Sequence, residues 1–190
     1  MADGDYPIIA ARCKDLEDII LFDSTGRFSI VPVHEFDNTI PSNTGNRVYD
    51  VTKLQGEIIT VDHEETAADS KLIYSDFGLV SYIVTLTKSG YLKRTSLEEY
   101  RNIKQPTSVR CVKLLKENDS LVAVSRLMCY PEEESTKKKP KVRLAPSDLL
   151  VYTKKGHFTI VKNQDIPVIS RDSQGNRCFN LEEDDSCVGF

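Results

Sequence analysis

A threefold internal repeat is the sequence feature that most constrains how this chain can fold. Three stretches align without a gap, and in each one a glycine occupies the same position after an apolar run. Each stretch is followed by an alternating apolar and polar segment and then by a short apolar segment opened by Gly or Asp. The aligned stretches are DSTGRFSIVPVHEF (23–36), TKSGYLKRTSLEEY (87–100) and TKKGHFTIVKNQDI (153–166), the alternating segments are NRVYDV (46–51), VRCVKL (109–114) and NRCFNL (176–181), and the short segments are GEIITV (56–61), DSLVAV (119–124) and DSCVGF (185–190).

Each copy carries the pattern of a β-hairpin followed by two further strands. Gly26, Gly90 and Gly156 can adopt the left-handed conformation that closes a short hairpin. The two later segments are short, β-branched and bounded by turn residues, which is typical of strands. Helical spacing is nearly absent, and SLEEYRNI (96–103) predicts only a loop with one turn of helix. Each copy is therefore predicted to form a four-stranded antiparallel sheet.

Such a sheet cannot bury both of its faces alone, so neighbouring copies must stack against one another. This arrangement is that of propeller blades, and the predicted fold class is an all-β, propeller-like array of about three four-stranded antiparallel blades. Because propellers typically close with about 4–8 blades, an open or partial ring is expected, as a short spiral or a fragment. Apolar residues at equivalent repeat positions are predicted to be core, namely Phe28, Phe36, Leu92, Tyr100 and Phe158.

One domain is expected over residues 1–190, with repeats at about 18–61, 82–124 and 148–190 and insertions at about 62–81 and 125–147. Within the first insertion, the apolar segment 71–80 is predicted to add a strand. Within the second, the charged and proline-bearing segment 131–146 is predicted to be an exposed loop. The leading segment 6–16 is a candidate for a strand that completes a neighbouring blade.

Composition argues against several classes of protein. The five cysteines are odd in number and contain no C-x-x-C pair, which favours reduced thiols and a cytoplasmic setting over a disulfide framework. The three histidines are isolated, so no metal site is predicted. No apolar run approaches the roughly 20 residues of a membrane span, and the first residues lack the pattern of a signal peptide. No nucleophile, P-loop or metal-dependent catalytic motif is present, so no catalytic centre is predicted in this chain.

The formal net charge of −4 conceals an uneven distribution. The segment 82–116 contains eight lysines and arginines but only two acidic residues, Glu98 and Glu99. Acidic residues concentrate instead at 132–134 and 182–185. Cations at hairpin turns and strand edges are expected to project from one edge of each blade, where they could form a track for phosphates. The same cations could instead be solvated edges that block sheet-to-sheet aggregation. The run KKKPKVR (137–143) could be a second phosphate contact or a solvated loop paired with Glu132 to Glu134.

The repeats resemble the C-terminal blades of the A subunits of DNA gyrase and topoisomerase IV. Three segments carry the resemblance: LTKSGYLKRTSLEEYRNI (86–103), LFDSTGRFSIVPVHEF (21–36) and ISRDSQGNRCFNL (169–181). The resemblance implies a β-pinwheel whose basic outer rim bends duplex DNA. It also implies a parent enzyme of type IIA that passes one duplex through a break in another in an ATP-dependent reaction. The catalytic tyrosine and winged helix of that family have no counterpart here.

The partners that the resemblance implies are duplex DNA, the ATPase B subunit, and the rest of the A subunit, with no membrane. No cofactor is expected in this chain, because ATP and Mg²⁺ would bind to other domains. The gyrase box Q-R-R-G-G-K-G has no full match, and the loop 171–177 keeps only R-D-S-Q-G-N-R, which favours a topoisomerase IV-like or divergent enzyme, including a phage-encoded one. A protein-interaction propeller without DNA binding is the alternative function. The predicted DNA-binding residues are Arg27, Lys88, Lys93, Arg94, Arg101, Lys104, Arg110, Lys154, Lys155, Arg171 and Arg177.

Overall fold

The computed structural model describes residues 13–36, 45, 47–64, 80–101, 103, 107–129 and 148–190. The described residues contain two short α-helices, α1 (Val48–Thr52) and α2 (Glu98–Arg101), and two 3₁₀ turns, Val33–Glu35 and Asn163–Asp165. The strands in chain order are β1 (Asp18–Asp23), β2 (Arg27–Pro32), β3 (Ile58–Glu64), β4 (Val80–Thr87), β5 (Tyr91–Ser96), β6 (Val109–Arg110), β7 (Leu121–Cys129), β8 (Leu149–Thr153), β9 (Phe158–Val161), β10 (Asn176–Arg177) and β11 (Cys187–Gly189).

These strands form three antiparallel sheets, which confirms the predicted all-β, propeller-like fold class. The strand orders are β3-β1-β2-β6, β10-β5-β4-β7 and β11-β8-β9. Each sheet is built on one of the predicted hairpins, β1–β2, β4–β5 or β8–β9. The hairpin glycines Gly26, Gly90 and Gly156 all have positive φ, as a tight turn between these strands requires.

The second and third repeats each donate a strand to the sheet of the preceding repeat. This donation corrects the prediction that each repeat forms a complete four-stranded sheet. In the first sheet, β6 of the second repeat pairs with β2, and Arg27 lies opposite Arg110. In the second sheet, β10 of the third repeat pairs with β5, and Asn176 lies opposite Leu92. The donated strands are only two residues long. The local pattern of a two-residue strand does not determine which hairpin it pairs with. Tertiary packing decides, and it pairs each donated strand with the hairpin of the preceding repeat.

The prediction of a strand over 46–51, the alternating segment of the first repeat, is wrong. Its residues from Val48 onward form α1, which is followed by Lys53 in the left-handed conformation. Instead of joining a sheet, the helix packs its apolar side against the buried residues Leu21, Val31 and Leu54. No hairpin precedes the first repeat in the part of the chain that the structure describes, so this segment has no preceding sheet to join.

Two of the three hydrophobic clusters among the described residues lie between blades. The first interblade core joins Phe22 and Phe28 of the first repeat to Tyr100 of the second, with ring centroids 4.8 to 5.9 Å apart. The second interblade core likewise joins Leu92 of the second repeat to Ile166 of the third. Neighbouring sheets therefore bury a face against each other, as predicted from the stacking argument.

A carboxylate clamps each hairpin turn by accepting hydrogen bonds from backbone amides. In the second and third repeats this group is Asp119 or Asp185, at the start of the last strand, and it accepts from the amide of Ser89 or Lys155 in the turn. The first repeat has Gly56 at that position, and Asp23 at the end of β1 replaces the missing carboxylate. Buried amides that lack a partner are costly, so these bonds stabilise the turns.

The third sheet differs from the first two because its outer face is open. No fourth strand pairs with β9 among the described residues. Phe158, predicted to be core, is exposed, whereas Phe28 and Leu92 at the equivalent positions are fully buried. The prediction for Phe158 is wrong because no following repeat covers this sheet in the described part of the chain. Tyr100 is buried as predicted, and Phe36 packs at the edge of the apolar cluster beneath α1.

Several predicted features lie wholly or partly outside the described residues. The charged segment 131–146 is outside them, as are residues 6–12 of the leading segment and 71–79 of the predicted extra strand. Val80 begins β4, and α2 is the single helical turn predicted within 96–103. In the described part of the chain, no helix is both long and apolar enough to cross a membrane.

The repeat offers a matched pair of substitutions that tests the interblade core. Phe28→Ala should lower the free energy of unfolding by about 3–5 kcal/mol, since it leaves a cavity against Phe22 and Tyr100. Phe158→Ala changes the same residue type at the equivalent position, where the ring is exposed, and should change stability by less than about 0.5 kcal/mol. Urea denaturation followed by circular dichroism measures both. Equal losses would contradict the assignment of the core to the junction between blades.

Candidate nucleic-acid interface

Two surface clefts, one at each junction between neighbouring repeats, collect exposed cations. Both are built from the same parts, which are the turn of one hairpin and the strand donated by the next repeat. The first cleft is lined by Thr25, Arg27, Gln55, Arg110, Lys113 and Leu114, and the second by Lys88, Ser89, Lys116, Asn118, Arg177 and Glu182, among others. Strand exchange positions the clefts, because β6 and β10 each place an arginine beside the preceding hairpin.

In the first cleft a fixed arginine stands beside an exposed one. Arg27 lies directly opposite Arg110 in the β2–β6 ladder. Its guanidinium donates to the Ser108 hydroxyl at 2.6 Å from Nε and to the Ser108 carbonyl at 2.7 Å from Nη2. Arg110 and Lys113 are exposed. No acidic side chain is among the described residues that line this cleft, so its potential is positive.

The second cleft repeats this design with different side chains. Arg177 occupies the position of Arg110 and lies over the Tyr91 ring, with its guanidinium carbon 5.5 Å from the ring centroid. Lys88 is exposed on the hairpin turn, where its amide donates to the Ser120 carbonyl at 2.7 Å. Lys116 completes the basic set, and Glu182 and Asp185 partly offset it.

The turn of the third hairpin carries two further predicted residues, and both are exposed. The amide of Lys154 donates to the Ser186 carbonyl at 2.8 Å, and the residue is exposed. The ammonium of Lys155 lies 3.9 Å from a Glu182 carboxylate oxygen and donates to the Glu183 carbonyl. The acidic run at 182–185 therefore contacts this turn.

The structure corrects the positions expected for Lys93 and Arg94, which are both buried. The Lys93 ammonium donates to the carbonyls of Ser170 and Arg171 in the third repeat. The Arg94 guanidinium donates to Asn163 Oδ1 at 2.7 Å and lies over the Tyr82 ring. These cations hold two repeats together instead of facing solvent.

A loop of the third repeat is the physical reason that this part of β5 is covered. Residues 166–175 pass across β5, where the amide of Arg94 donates to the Pro167 carbonyl and the amide of Ile169 donates to the Arg94 carbonyl. Gly175 closes the loop with a φ of 106°, and a Cβ there would lie 2.8 Å from the Leu92 carbonyl oxygen. Only glycine fits this approach of the two backbones.

The remaining predicted contacts are dispersed. Arg101 pairs with Glu98 at 2.7 Å on α2. Arg171 places its guanidinium 5.5 Å from the Phe28 ring centroid and donates from Nη1 to the Arg110 carbonyl, so it bridges repeats at the rim of the first cleft. Lys104 lies outside the described residues.

Two cleft residues, Lys113 and Lys116, belong to the basic stretch but are not among the predicted contacts. The sequence signal that could have identified them is their position within or soon after the donated segment 109–114. Both are exposed, and each lines one of the two clefts.

Burial lowers the pKa of Lys93 from about 10.5 to about 8, although the nearby carboxylates of Glu99 and Asp172 oppose the shift. Between these two values the unfolded chain holds a proton that the folded chain has lost. The contribution of Lys93 to the free energy of unfolding should therefore rise as the pH increases from 8 to 10.5 and stay constant below 8. A neutral amine keeps two N–H groups and can still donate to both carbonyls.

Lys93→Met should remove this dependence. The free energy of unfolding of the wild type minus that of the variant should therefore increase from pH 8 to 10.5. Urea denaturation at several pH values measures both. Lys88→Met is the control, because Lys88 is exposed and its loss should leave the pH profile unchanged. Identical profiles for wild type and Lys93→Met would place the ammonium in solvent and contradict the buried geometry.

Comparison with known proteins gives a consistent result for fold and family. A family model described as the DNA gyrase C-terminal domain, a β-propeller, matches residues 81–127 and 148–190. The A subunit of DNA topoisomerase 4 from Streptococcus pyogenes is 26% identical over 191 aligned positions, covering 97% of this chain and 20% of that protein. The chain thus spans about a fifth of the length of the curated relatives that it matches.

Two solved structures share the fold. The C-terminal domain of DNA topoisomerase IV superposes with a TM-score of 0.67 at 19% identity, covering 92% of this chain and 46% of that one. The DNA gyrase A C-terminal domain superposes with a TM-score of 0.62 at 19% identity, covering 99% of this chain and 52% of that one. The arrangement of antiparallel blades is therefore a known architecture.

Proposed function

We propose that the chain binds duplex DNA without sequence preference and bends or wraps it along the two clefts. The proposal is supported by the match of the DNA gyrase C-terminal domain model to the second and third repeats. In this proposal it is the C-terminal accessory domain of a type IIA topoisomerase A subunit. Strand passage, together with ATP and Mg²⁺ binding, takes place on the other domains and on the B subunit. The site of action is the bacterial cytoplasm. The partial match of loop 171–177 to the gyrase box favours a topoisomerase IV-like or phage-type enzyme over gyrase.

The observation that carries the proposal is the repetition of cations at equivalent places in both clefts. Arg110 and Arg177 are equivalent residues of the donated strands, and each stands beside a hairpin turn of the preceding repeat. Lys113 and Lys116 add a second positive charge near each of them. An array with one basic cleft per junction presents charge at regular intervals, as does the phosphate backbone that it would follow.

Electrostatics of this kind gives affinity rather than specificity. Each phosphate that a lysine or arginine neutralises releases condensed counterion, so binding weakens steeply as salt increases. Phosphate contacts also carry no direct sequence information. Bending the duplex around the array costs several kcal/mol, which many such contacts must offset. The exposed Lys154 at the third hairpin extends the series beyond the second cleft.

The second candidate function, a protein-interaction module, makes the opposite prediction about salt. An interface of apolar and mixed character depends weakly on ionic strength, because few counterions are released. Salt dependence therefore discriminates the two functions directly.

A matched pair of double variants tests the clefts as the DNA-binding surface. Lys88→Gln with Lys113→Gln removes one exposed cation from each cleft and should weaken binding alike on all sequences. It should also reduce the slope of log K against log salt concentration by about 2, since each phosphate contact contributes about 0.9. Fluorescence anisotropy with a labelled duplex, titrated at several salt concentrations, measures affinity and slope.

Lys53→Gln with Lys162→Gln is the control, because both lysines are exposed and neither lines a cleft. This control changes the net charge equally and should leave the slope nearly unchanged. Equal effects of the two double variants would place the track elsewhere. Absence of binding at low salt, or binding that salt does not weaken, would favour the protein-interaction module.

A further inference from the structure

The two clefts are built from equivalent parts but differ in charge. Three cations line the first cleft, and no carboxylate is among its described lining residues. Three cations also line the second cleft, together with two carboxylates. The charged residues are Arg27, Arg110 and Lys113 in the first cleft, and Lys88, Lys116, Arg177, Glu182 and Asp185 in the second. The second cleft is therefore the less positive of the two.

The third repeat is the source of this difference, since both carboxylates belong to it. The segments that start at the last residue of each donated strand read RCVKLL at 110–115 and RCFNLE at 177–182. Lys113 of the second repeat is replaced by Asn180, and the exposed Leu115 is replaced by Glu182. The third repeat thus brings one cation fewer and one carboxylate more in this segment than the second repeat does.

The two carboxylates of the second cleft have different structural roles. Asp185 clamps the third hairpin turn, where it accepts from the amides of Lys155 and Ser186 at 3.1 and 2.8 Å. Glu182 has a side chain that is 61% exposed, and its carboxylate lies 3.9 Å from the Lys155 ammonium. An exposed pair at this separation contributes little to stability. Glu182 can therefore be changed without loss of the turn, and its charge is available to act on whatever enters the cleft.

The size of the second cleft places this charge within electrostatic range of its cations. The cleft encloses about 430 Å³. A sphere of that volume is roughly 9 Å across, which is close to the Debye length of about 10 Å at 0.1 M salt. The Glu182 carboxylate therefore attracts Lys88, Lys116 and Arg177 through incompletely screened electrostatics, as a bound phosphate would. It also repels a phosphate that enters the cleft.

We propose that Glu182 makes the two clefts unequal, so that the first cleft anchors a bound duplex and the second holds it more weakly. The inference rests on the proposed DNA-binding function and assigns one residue to the balance between the two clefts. Both clefts engage phosphates at low salt, and the second is the first to release them as salt increases. A duplex bent across the array can then leave one junction while the other retains it.

Glu182→Gln keeps the shape of the side chain and removes its charge. It should tighten the binding of a labelled duplex about two- to fivefold at about 0.15 M salt, the range expected for an exposed charge interaction. Fluorescence anisotropy measures the affinity, and a gain in affinity cannot result from misfolding. Glu183→Gln is the matched control, because Glu183 is the next residue, is also exposed and does not line the cleft. Its effect should be clearly smaller, although the change in net charge is the same.

A pair of lysine variants tests the inequality of the clefts directly. Lys113→Gln removes an exposed cation from the first cleft, and Lys116→Gln removes one from the second. At about 0.15 M salt, Lys113→Gln should weaken binding about two- to fivefold more than Lys116→Gln does. When each is combined with Glu182→Gln, the two losses should become similar, because the second cleft then holds phosphate as the first does.

Leu115→Glu transfers the carboxylate to the equivalent position beside the first cleft. Leu115 follows Leu114, which lines that cleft, and it is 50% exposed, so a polar side chain is tolerated there. The substitution should weaken duplex binding about two- to fivefold under the same conditions. A Leu115→Glu variant that binds as tightly as the wild type would contradict the assignment of this position to the balance between the clefts.

Failure of this inference can be told apart from failure of the DNA-binding function on which it rests. A wild-type chain that does not bind DNA at low salt, or whose binding is not weakened by salt, would overturn both. If the wild type binds with a steep salt dependence, equal effects of Glu182→Gln and Glu183→Gln would overturn the role of Glu182 alone. Equal losses for Lys113→Gln and Lys116→Gln in the otherwise wild-type chain would show that the clefts are equal and overturn the inference.

Discussion

The exchange of a two-residue strand between neighbouring repeats is the interaction on which the rest of the structure depends. It ties each of the first two hairpins to the next repeat through backbone hydrogen bonds. The interblade cores then form between repeats, since the outer face of one hairpin has no cover of its own. The exchange also places Arg110 and Arg177 beside the preceding turns and so creates both clefts.

Local features of the fold could be predicted from the sequence, because they depend on local chemistry. The hairpins follow from alternation and from Gly26, Gly90 and Gly156, and the stacking follows from apolar residues at equivalent positions. The strand exchange could not be predicted, since a ladder such as Val109–Arg110 has the same pattern whichever hairpin it joins. The exposure of Phe158 could not be predicted either, because the alignment gives it the role of Phe28 and does not show whether a following repeat covers it.

The candidate site shows the same division between local and tertiary information. Basic turn residues such as Lys88 and Lys154 are exposed as predicted, because a hairpin turn projects from a sheet whatever surrounds it. Lys93 and Arg94 are buried because the loop 166–175, which is distant in sequence, passes over β5. Lys93 and Arg94, which were predicted to contact phosphates, thus join the second repeat to the third. Backbone carbonyls that accept from the Lys93 ammonium make this burial tolerable.

The turn carboxylates have a consequence for how the repeats can diverge. In the first repeat the clamp is Asp23 paired with Gly56, whereas in the second it is Asp119 paired with Thr87, whose hydroxyl accepts from the Tyr91 amide. One geometry is thus reached by two different residue pairs, and replacing the aspartate of either pair leaves turn amides without an acceptor. A repeat that changes from one residue pair to the other during evolution must therefore pass through an intermediate with a less stable turn, or must acquire both substitutions together. Such positions should vary in concert between copies, which lowers pairwise identity while the shape of each blade stays constant.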